Sequence, residues 1–374
     1  MEQVTAHPSL LAQLVDLDAM IWARTANDPS TFDLADIVWE ARKSGPAQVA
    51  VETVLVEEGN PLDWVGPRAA GIVETRSLNG MTFRLILDKY GPFVLGAVPT
   101  RHEGIFHLIG SVPTTDPRWR KVERWIGRAS PAVAPCFLDH SEFAAIGTAL
   151  EDLGCVEVSR ITARRLGDQS SLNRGWKERD GSPRPSPAEA IGEAEREGAS
   201  VRTMTLRVAG HISVHVRRVA GATFYTGDFE AFRDLVLDRL AAAAARRRRL
   251  LVGRKRTPAS PPPRPIRIRL NEPTMVDAAA TGLLIAALEN SPRTAVAVLH
   301  RNPYLHLIVT DYDDGSNFDV FVTKDDEIEV HAGFRSSMGS LARLTQTIGD
   351  QFAGNEISES HQDASVSLAD LVGG

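Results

Sequence analysis

Apolar positions recur at three- and four-residue spacing through "PSLLAQLVDLDAMIWA", where Leu10, Leu14, Leu17 and Ile21 share one side of a helix. The next stretch, "NDPSTFDLADIVWEARKSG", predicts a second helix, with Ser30, Thr31 or Asp33 as candidate caps and Gly45 as its stop. From Gln48 the rhythm changes. "QVAVETVLVEE", "AAGIVETRSL", "MTFRLILDKY", "PFVLGAVPT" and "IFHLIGSV" are short β-branched or aromatic runs, most of them separated by Gly, Pro or Asn, and they predict an antiparallel meander. "DPRWRKVERWIGRA" closes it as a Pro-started helix with Trp119, Val122 and Ile126 on one stripe.

A second unit starts near Pro135. "HSEFAAIGTALEDLG" reads as a capped helix, "CVEVSRITARR", "RTMTLRVAG" and "ISVHVRRVAGATFY" as strands, and "DFEAFRDLVLDRLAAAAA" as a helix. Residues 167–200 are polar and Pro/Gly-rich, which predicts a mobile loop with one short exposed helix. After the prolines near 260 the plan recurs, with strand "RIRLNE", helix "TMVDAAATGLLIAALENS", four strands, and helix "SSMGSLARLTQTIGDQF". The fold class expected is α+β, with antiparallel sheets each covered by helices. Three sequential units are expected, their shared order being what an internal duplication would leave. Their bounds are 1–133 for the N-terminal helices and meander, 134–245 for the second α+β unit, 246–265 for a basic Pro/Arg linker, 266–354 for the C-terminal α+β unit, and 355–374 for a disordered acidic tail. Within that tail "SLADLV" is a candidate docking peptide, set against the plainer reading of a frayed terminus.

Bulk composition adds little except in its charge. A chain of 374 residues exceeds the roughly 250 at which single cores stop growing, so two or three domains are expected. Net charge is −6, yet residues 246–269 hold ten Lys or Arg and no acid; the rest carries 32 basic against 48 acidic residues, or −16. One short positive segment on an acidic chain can grip an external polyanion, serve as a tether, or find its counter-charge on the protein itself. Cations at a helix C-terminus contribute roughly 0.3–1 kcal/mol each, which explains one or two arginines but not ten. The candidate polyanion contacts are Arg246, Arg247, Arg248, Arg249, Arg254, Lys255 and Arg256. No aromatic residue lies between Ala241 and Arg269, so bases would find no stacking platform and binding would follow backbone charge alone. The prolines from 258 to 265 cannot continue a helix and favour an extended spacer.

Cys136 and Cys155 are the two cysteines, so no disulfide framework is expected. The longest apolar run, "AAATGLLIAAL", falls short of the roughly 20 residues of a membrane span, and no secretory leader pattern opens the chain; a cytoplasmic location is expected. Three constellations carry candidate chemistry. "HISVHV" sets His211, Ser213 and His215 on one strand face, but the nearest matching strand offers His306 and Thr310 at the wrong spacing. Asp311, Asp313, Asp314 and Asp319 in "DYDDGSNFDVF" can hold Mg²⁺, although "DDGSN" is also ordinary turn chemistry. Cys136, His140 and Cys155 supply three zinc-ligand types without the usual close Cys pair. No Walker loop, dinucleotide fingerprint, nucleophile elbow or zinc-protease helix is present in the sequence.

The function expected from these features is non-catalytic binding of another protein, as an adaptor, chaperone-like protein or regulatory subunit, with no cofactor and no catalytic residues. One alternative is a nucleic-acid-associated regulator working through the arginine-rich segment. The other is a metal-dependent enzyme built on His211 and His215 or on the aspartates of the hairpin.

Overall fold

The computed structural model describes residues 12–14, 16–27, 32–44, 48–66, 71–165, 170–176, 184–258, 261–270, 273–301, 304–352 and 356–359. Backbone contacts divide the chain into two units, residues 1–252 with 338–346, and residues 253–337 with 347–374.

In the first unit, helices α1 (Asp16–Asn27) and α2 (Leu34–Ser44) precede strands β1 (Val49–Val56), β2 (Ile72–Leu78), β3 (Met81–Asp88), β4 (Gly91–Pro99) and β5 (Ile105–Gly110). Helix α3 (Pro117–Arg128) and the short β6 (Val133–Pro135) follow, then α4 (His140–Leu150), β7 (Val156–Arg165), β8 (Ser171–Gly175) and α5 (Pro187–Arg196). Strands β9 (Ala199–Val208), β10 (Ile212–Arg217) and β11 (Gly221–Gly227) complete the sheet. A helical turn (Phe229–Ala231) and wider π-helical turns (Phe232–Leu237) then run into α6 (Asp238–Leu251). The strands form one antiparallel sheet in the order β2-β3-β4-β5-β1-β11-β10-β9-β7-β8, with β6 also paired to β1. Of the five strands read from the sequence as a meander, β2 to β5 are consecutive neighbours, while β1 pairs with β5 and β11 instead of β2. Strand β1, whose eight positions are all buried, sits at the centre.

Packing explains these elements. Asp116 caps α3 by accepting the Arg118 N–H at 2.8 Å, Pro117 opens the first turn, and Trp119, Val122 and Ile126 are buried as the stripe requires. Trp119 lies so close to Gly110 that a Cβ there would stand 2.9 Å from its ring, so the strand carries glycine where the indole rests. Those side chains join Val54, Phe93, Leu95 and Leu108 in one core.

The structure differs from the sequence expectation in several places. Residues 1–133 and 134–245 share a single sheet, because β1 pairs with β11 from Val49↔Phe224 to Glu52↔Gly221. Residues 167–200 include strand β8, half-exposed on both faces as an edge strand is, which makes its composition read as loop. Helix α5 in the same stretch is not exposed: it buries Pro187, Ala190, Ile191 and Ala194. The expected linker starts as helix, since α6 continues through the arginines to Leu251, held down by buried Leu240, Ala241, Ala243, Ala244 and Leu251. Ser30, Thr31 and Gly45 lie outside the described residues, while Asp33 does accept the Ala35 N–H at 2.7 Å.

The second unit has strands β12 (Ile266–Arg269), β13 (Thr294–His300), β14 (Leu305–Asp311), β15 (Asn317–Lys324), β16 (Glu327–Ala332) and β17 (Glu356–Glu359), with helix α7 (Ala278–Glu289). Helix α8 (Met338–Gln351) has its residues divided between the two units. The sheet is antiparallel, in the order β13-β14-β15-β16-β12-β17. Strand β17 lies within the stretch expected as tail, paired to β12 from Arg269↔Glu356 to Ile266↔Glu359; the segment "SLADLV" lies outside the described residues. The class is α+β. No helix among the described residues is long and apolar enough to cross a membrane.

Candidate functional site

The arginines singled out by composition are largely committed to the chain's own oxygens. On α6, Arg247 donates from Nε to the Phe137 carbonyl at 2.5 Å and from Nη2 to Glu142 Oε2 at 2.6 Å, with Asp139 Oδ2 at 3.4 Å. Asp139 and Glu142 are also the capping box of α4, so one buried guanidinium ties the C-terminal half of α6 to the start of α4. Arg246 reaches the other oxygen of Glu142 at 3.0 Å, and Arg248 donates to the Val56 carbonyl at 3.4 Å. In the second unit Arg254 is buried against Glu359 and donates to the Arg264 carbonyl at 2.6 Å. Arg256 lies 5.7 Å over the Phe334 ring. Arg249 and Lys255 are exposed.

The catalytic candidates are similarly occupied. His211 precedes β10 in a tight turn and is exposed, so it does not share the strand face with His215. His215 sits 2.9 Å from Thr205 Oγ1, and burial with Arg217 and Arg160 nearby pushes it down to about 4. It is therefore neutral at physiological pH. His306 pairs with Asp319 at 2.9 Å and stacks on Phe321. Asp311 accepts the Asp313 N–H at 2.9 Å and Asp314 the Ser316 N–H at 2.8 Å, both turn-stabilising bonds, and Asp313 pairs with Arg293. Cys136 is buried, and burial pushes its thiol up to about 12. Cys155 is exposed. His140 accepts the Val201 N–H at 3.0 Å on Nε2, which leaves Nδ1 to donate to Glu195 at 2.7 Å. Among the described residues, no three His, Cys, Asp or Glu side chains gather closely enough to hold an ion.

Two clefts of the first unit bring chemistry together. The larger, about 570 Å³, is lined by residues of α2, the turn before β10, and the end of β11 with the helical turn after it. Helix α2 buries Ala35, Ile37, Val38 and Ala41, and the same 100° spacing turns Trp39 outward, where it is 62% exposed at the cleft mouth. Arg42 fixes the far wall by donating to the Gly227 carbonyl, and its guanidinium lies 5.8 Å from the Phe224 ring. Gly227 has φ +114°, and a Cβ on it would fall 2.0 Å from the His211 carbonyl oxygen; only glycine fits this crossing. Asp228 then caps the following turn by accepting the Glu230 and Ala231 N–H groups at 2.8 and 3.3 Å, and its own N–H donates to the His211 carbonyl at 2.9 Å. Phe229 packs edge-on against Phe224 at 5.2 Å and closes the floor. Asp36, Asp228 and Glu230 give the cleft three exposed carboxylates, alongside Arg42 and His211 in its lining.

The second cleft, about 490 Å³, centres on Arg217, which donates to Glu52 at 2.7 Å, Glu123 at 2.6 Å and the Val51 carbonyl at 3.3 Å. Glu52 is buried, and burial pushes its carboxyl up to about 7 despite the pull of Arg217. Arg217 is spent holding β1, β10 and α3 together.

Neither cleft was named from the sequence. Trp39 carried a legible signal, since a tryptophan opposite Ile37 and Ala41 faces away from the core. The acids around it come from positions nearly 200 residues apart and carried none. No protein-family model matches the chain, and no curated protein matches it significantly in sequence.

Proposed function

We propose that the protein is a non-catalytic binding protein of the adaptor, chaperone-like or regulatory-subunit kind, and that its partner docks in the Trp39 cleft. The observation that carries this reading is the large exposed indole at the mouth of a cleft rimmed by carboxylates. A tryptophan left 62% exposed beside a cleft supplies the amphipathic anchor typical of binding hot spots. The three rim carboxylates favour a cationic protein segment whose apolar side chains pack on the exposed indole, over which the chain's own Lys43 already lies at 5.9 Å. Titration of a short Lys/Leu-rich peptide, followed by indole fluorescence and calorimetry, should show saturable binding. Trp39→Ala should weaken it at least tenfold, about 1.4 kcal/mol or more, and Glu230→Lys should weaken it with loss of its salt dependence. Equal binding by wild type and Trp39→Ala contradicts the reading.

A second reading, polyanion contact, retains support from Arg249 and Lys255, which are exposed. In a retardation assay with random duplex DNA, Arg249→Ser and Lys255→Ser together should abolish any low-salt shift. A shift that survives both changes removes that assignment.

A further inference from the structure

Strands β10, β9, β7 and β8 lie side by side at one end of the first sheet. Helices α4 and α5 pack against one face of this region, touching β9 and β7. Arg174 of β8 marks that face, because it reaches Glu193 of α5 at 2.5 Å. Ile161 stands opposite Arg174 on β7 and is buried. Side chains alternate along a strand, so Arg160 and Thr162, on either side of Ile161, point to the other face.

On that other face the register sets side chains in rows. Asn173, Thr162, Thr203 and Arg217 form one row, Arg160, Thr205 and His215 the next, and Glu157, Arg207 and Ser213 a third. The Thr162 and Thr203 hydroxyls lie 2.7 Å apart and Thr205 Oγ1 lies 2.9 Å from His215 Nδ1, as a shared face requires. Arg160 and Arg207 are exposed, as is Arg164 further along β7. The carboxylate of these rows, Glu157, accepts from Arg184 at 3.1 Å, while Arg217 is held by Glu52 and Glu123. Two rings stand among these groups. A register shift between Ser213 and Val214 leaves Tyr225 as the extra residue of a bulge in β11, a device that re-aims a side chain. Its ring comes to 6.4 Å from that of His215, and the charges of Arg217 and Arg160 act on both.

We infer that this sheet face binds single-stranded nucleic acid, with Arg160 and Arg207 on phosphates and Tyr225 against a base. The occupant follows from what the face offers and lacks. A docked protein segment needs an apolar anchor, and the three rows contain no apolar side chain. Nucleic-acid interfaces are polar and positively charged, and single-strand binders combine a cationic track with aromatic platforms. Both are present here, guanidiniums beside a tyrosine and a histidine ring. The arginines of α6 take no part, and the inference does not rest on the Trp39 cleft.

Fluorescence anisotropy of labelled DNA and RNA strands of about 12 nucleotides, titrated with the full chain at about 50 mM salt, tests this. Saturable binding to the single strands is expected, at least tenfold tighter than to the matching duplex. Arg160→Ser with Arg207→Ser should weaken it at least tenfold and lower the log–log salt slope by about 1.4, two phosphates at about 0.7 each. Tyr225→Ala should weaken it about fivefold with the slope unchanged, and Tyr225→Phe should bind as wild type does. Arg249→Ser with Lys255→Ser should leave it intact. Circular dichroism checks the fold of each variant; if Tyr225→Ala unfolds, the pair of exposed arginines decides. No binding at that salt overturns the inference, as does an equal grip on duplex or binding unchanged by the arginine pair. Displacement by polyglutamate as readily as by unlabelled strand also overturns it, because the face then takes acidic protein segments.

Discussion

Replacing Arg247 with serine should cost the fold about 3 kcal/mol, read as a lowered urea midpoint with an unchanged m-value. The Arg247 side chain is 13% exposed and that of Glu142 is 7% exposed, so removing the guanidinium leaves a carboxylate inside the protein without its main counter-ion. Asp139 N–H still donates to Glu142 at 2.9 Å and Arg246 remains on the outside, which keeps the loss toward the low end for a broken buried pair. Arg246→Ser should cost less than about 1 kcal/mol, because its side chain is 52% exposed and solvent screens the pair. The contrast between neighbouring arginines is the informative result. Restoring neutrality with Glu142→Gln in the Arg247→Ser background should recover part of the loss; a purely additive double variant denies that the two groups interact.

The second large effect concerns Asp18, fully buried on α1. Burial pushes its carboxyl up to about 7, against smaller pulls from Ser111, the Val94 backbone and the charge of Arg118, which is itself held by both oxygens of Asp116. The ordinary value is near 3.8, so between the two the folded chain holds a proton that the unfolded chain has lost. Stability through this group is therefore lost as pH rises from about 4 to about 7, and the loss is complete above that. Asp18→Asn keeps the shape and removes the titration. Its stability relative to wild type should climb by about 1.4 kcal/mol per pH unit across that window and then level off. Denaturation of both proteins at pH 5, 6, 7 and 8 checks it. A difference that stays flat with pH shows that Asp18 is ionised in the fold throughout.

How much of this was legible depends on distance along the chain. The stripe of α3 and the β2 to β5 part of the meander follow from periods of a few residues and are present, whereas β1, read as the first meander strand, lies beside β5 and β11. Strand β8 was not legible, because an edge strand exposing both faces has the polar composition of a loop. The helical course of Arg246, Arg247, Arg248 and Arg249 was missed for a different reason: charge run and prolines suggested a tether, while alanines burying one face carried the helix onward. That a basic segment on an acidic chain can find its counter-charge at home was legible; that the partners are Glu142 and Asp139, more than 100 residues away, was not. Trp39 could be placed outward from its helix, but its cleft required β10 and β11 to fold beside α2.

Hydrogen exchange on the full chain, measured with a Lys/Leu-rich peptide and again with duplex DNA at about 0.15 M salt, puts the two roles of charge against each other. The account predicts that the peptide slows exchange over residues 35–42 and 227–230, while DNA leaves residues 246–256 unchanged. Protection of residues 246–256 by DNA, with the Trp39 segments unaffected by peptide, would contradict it.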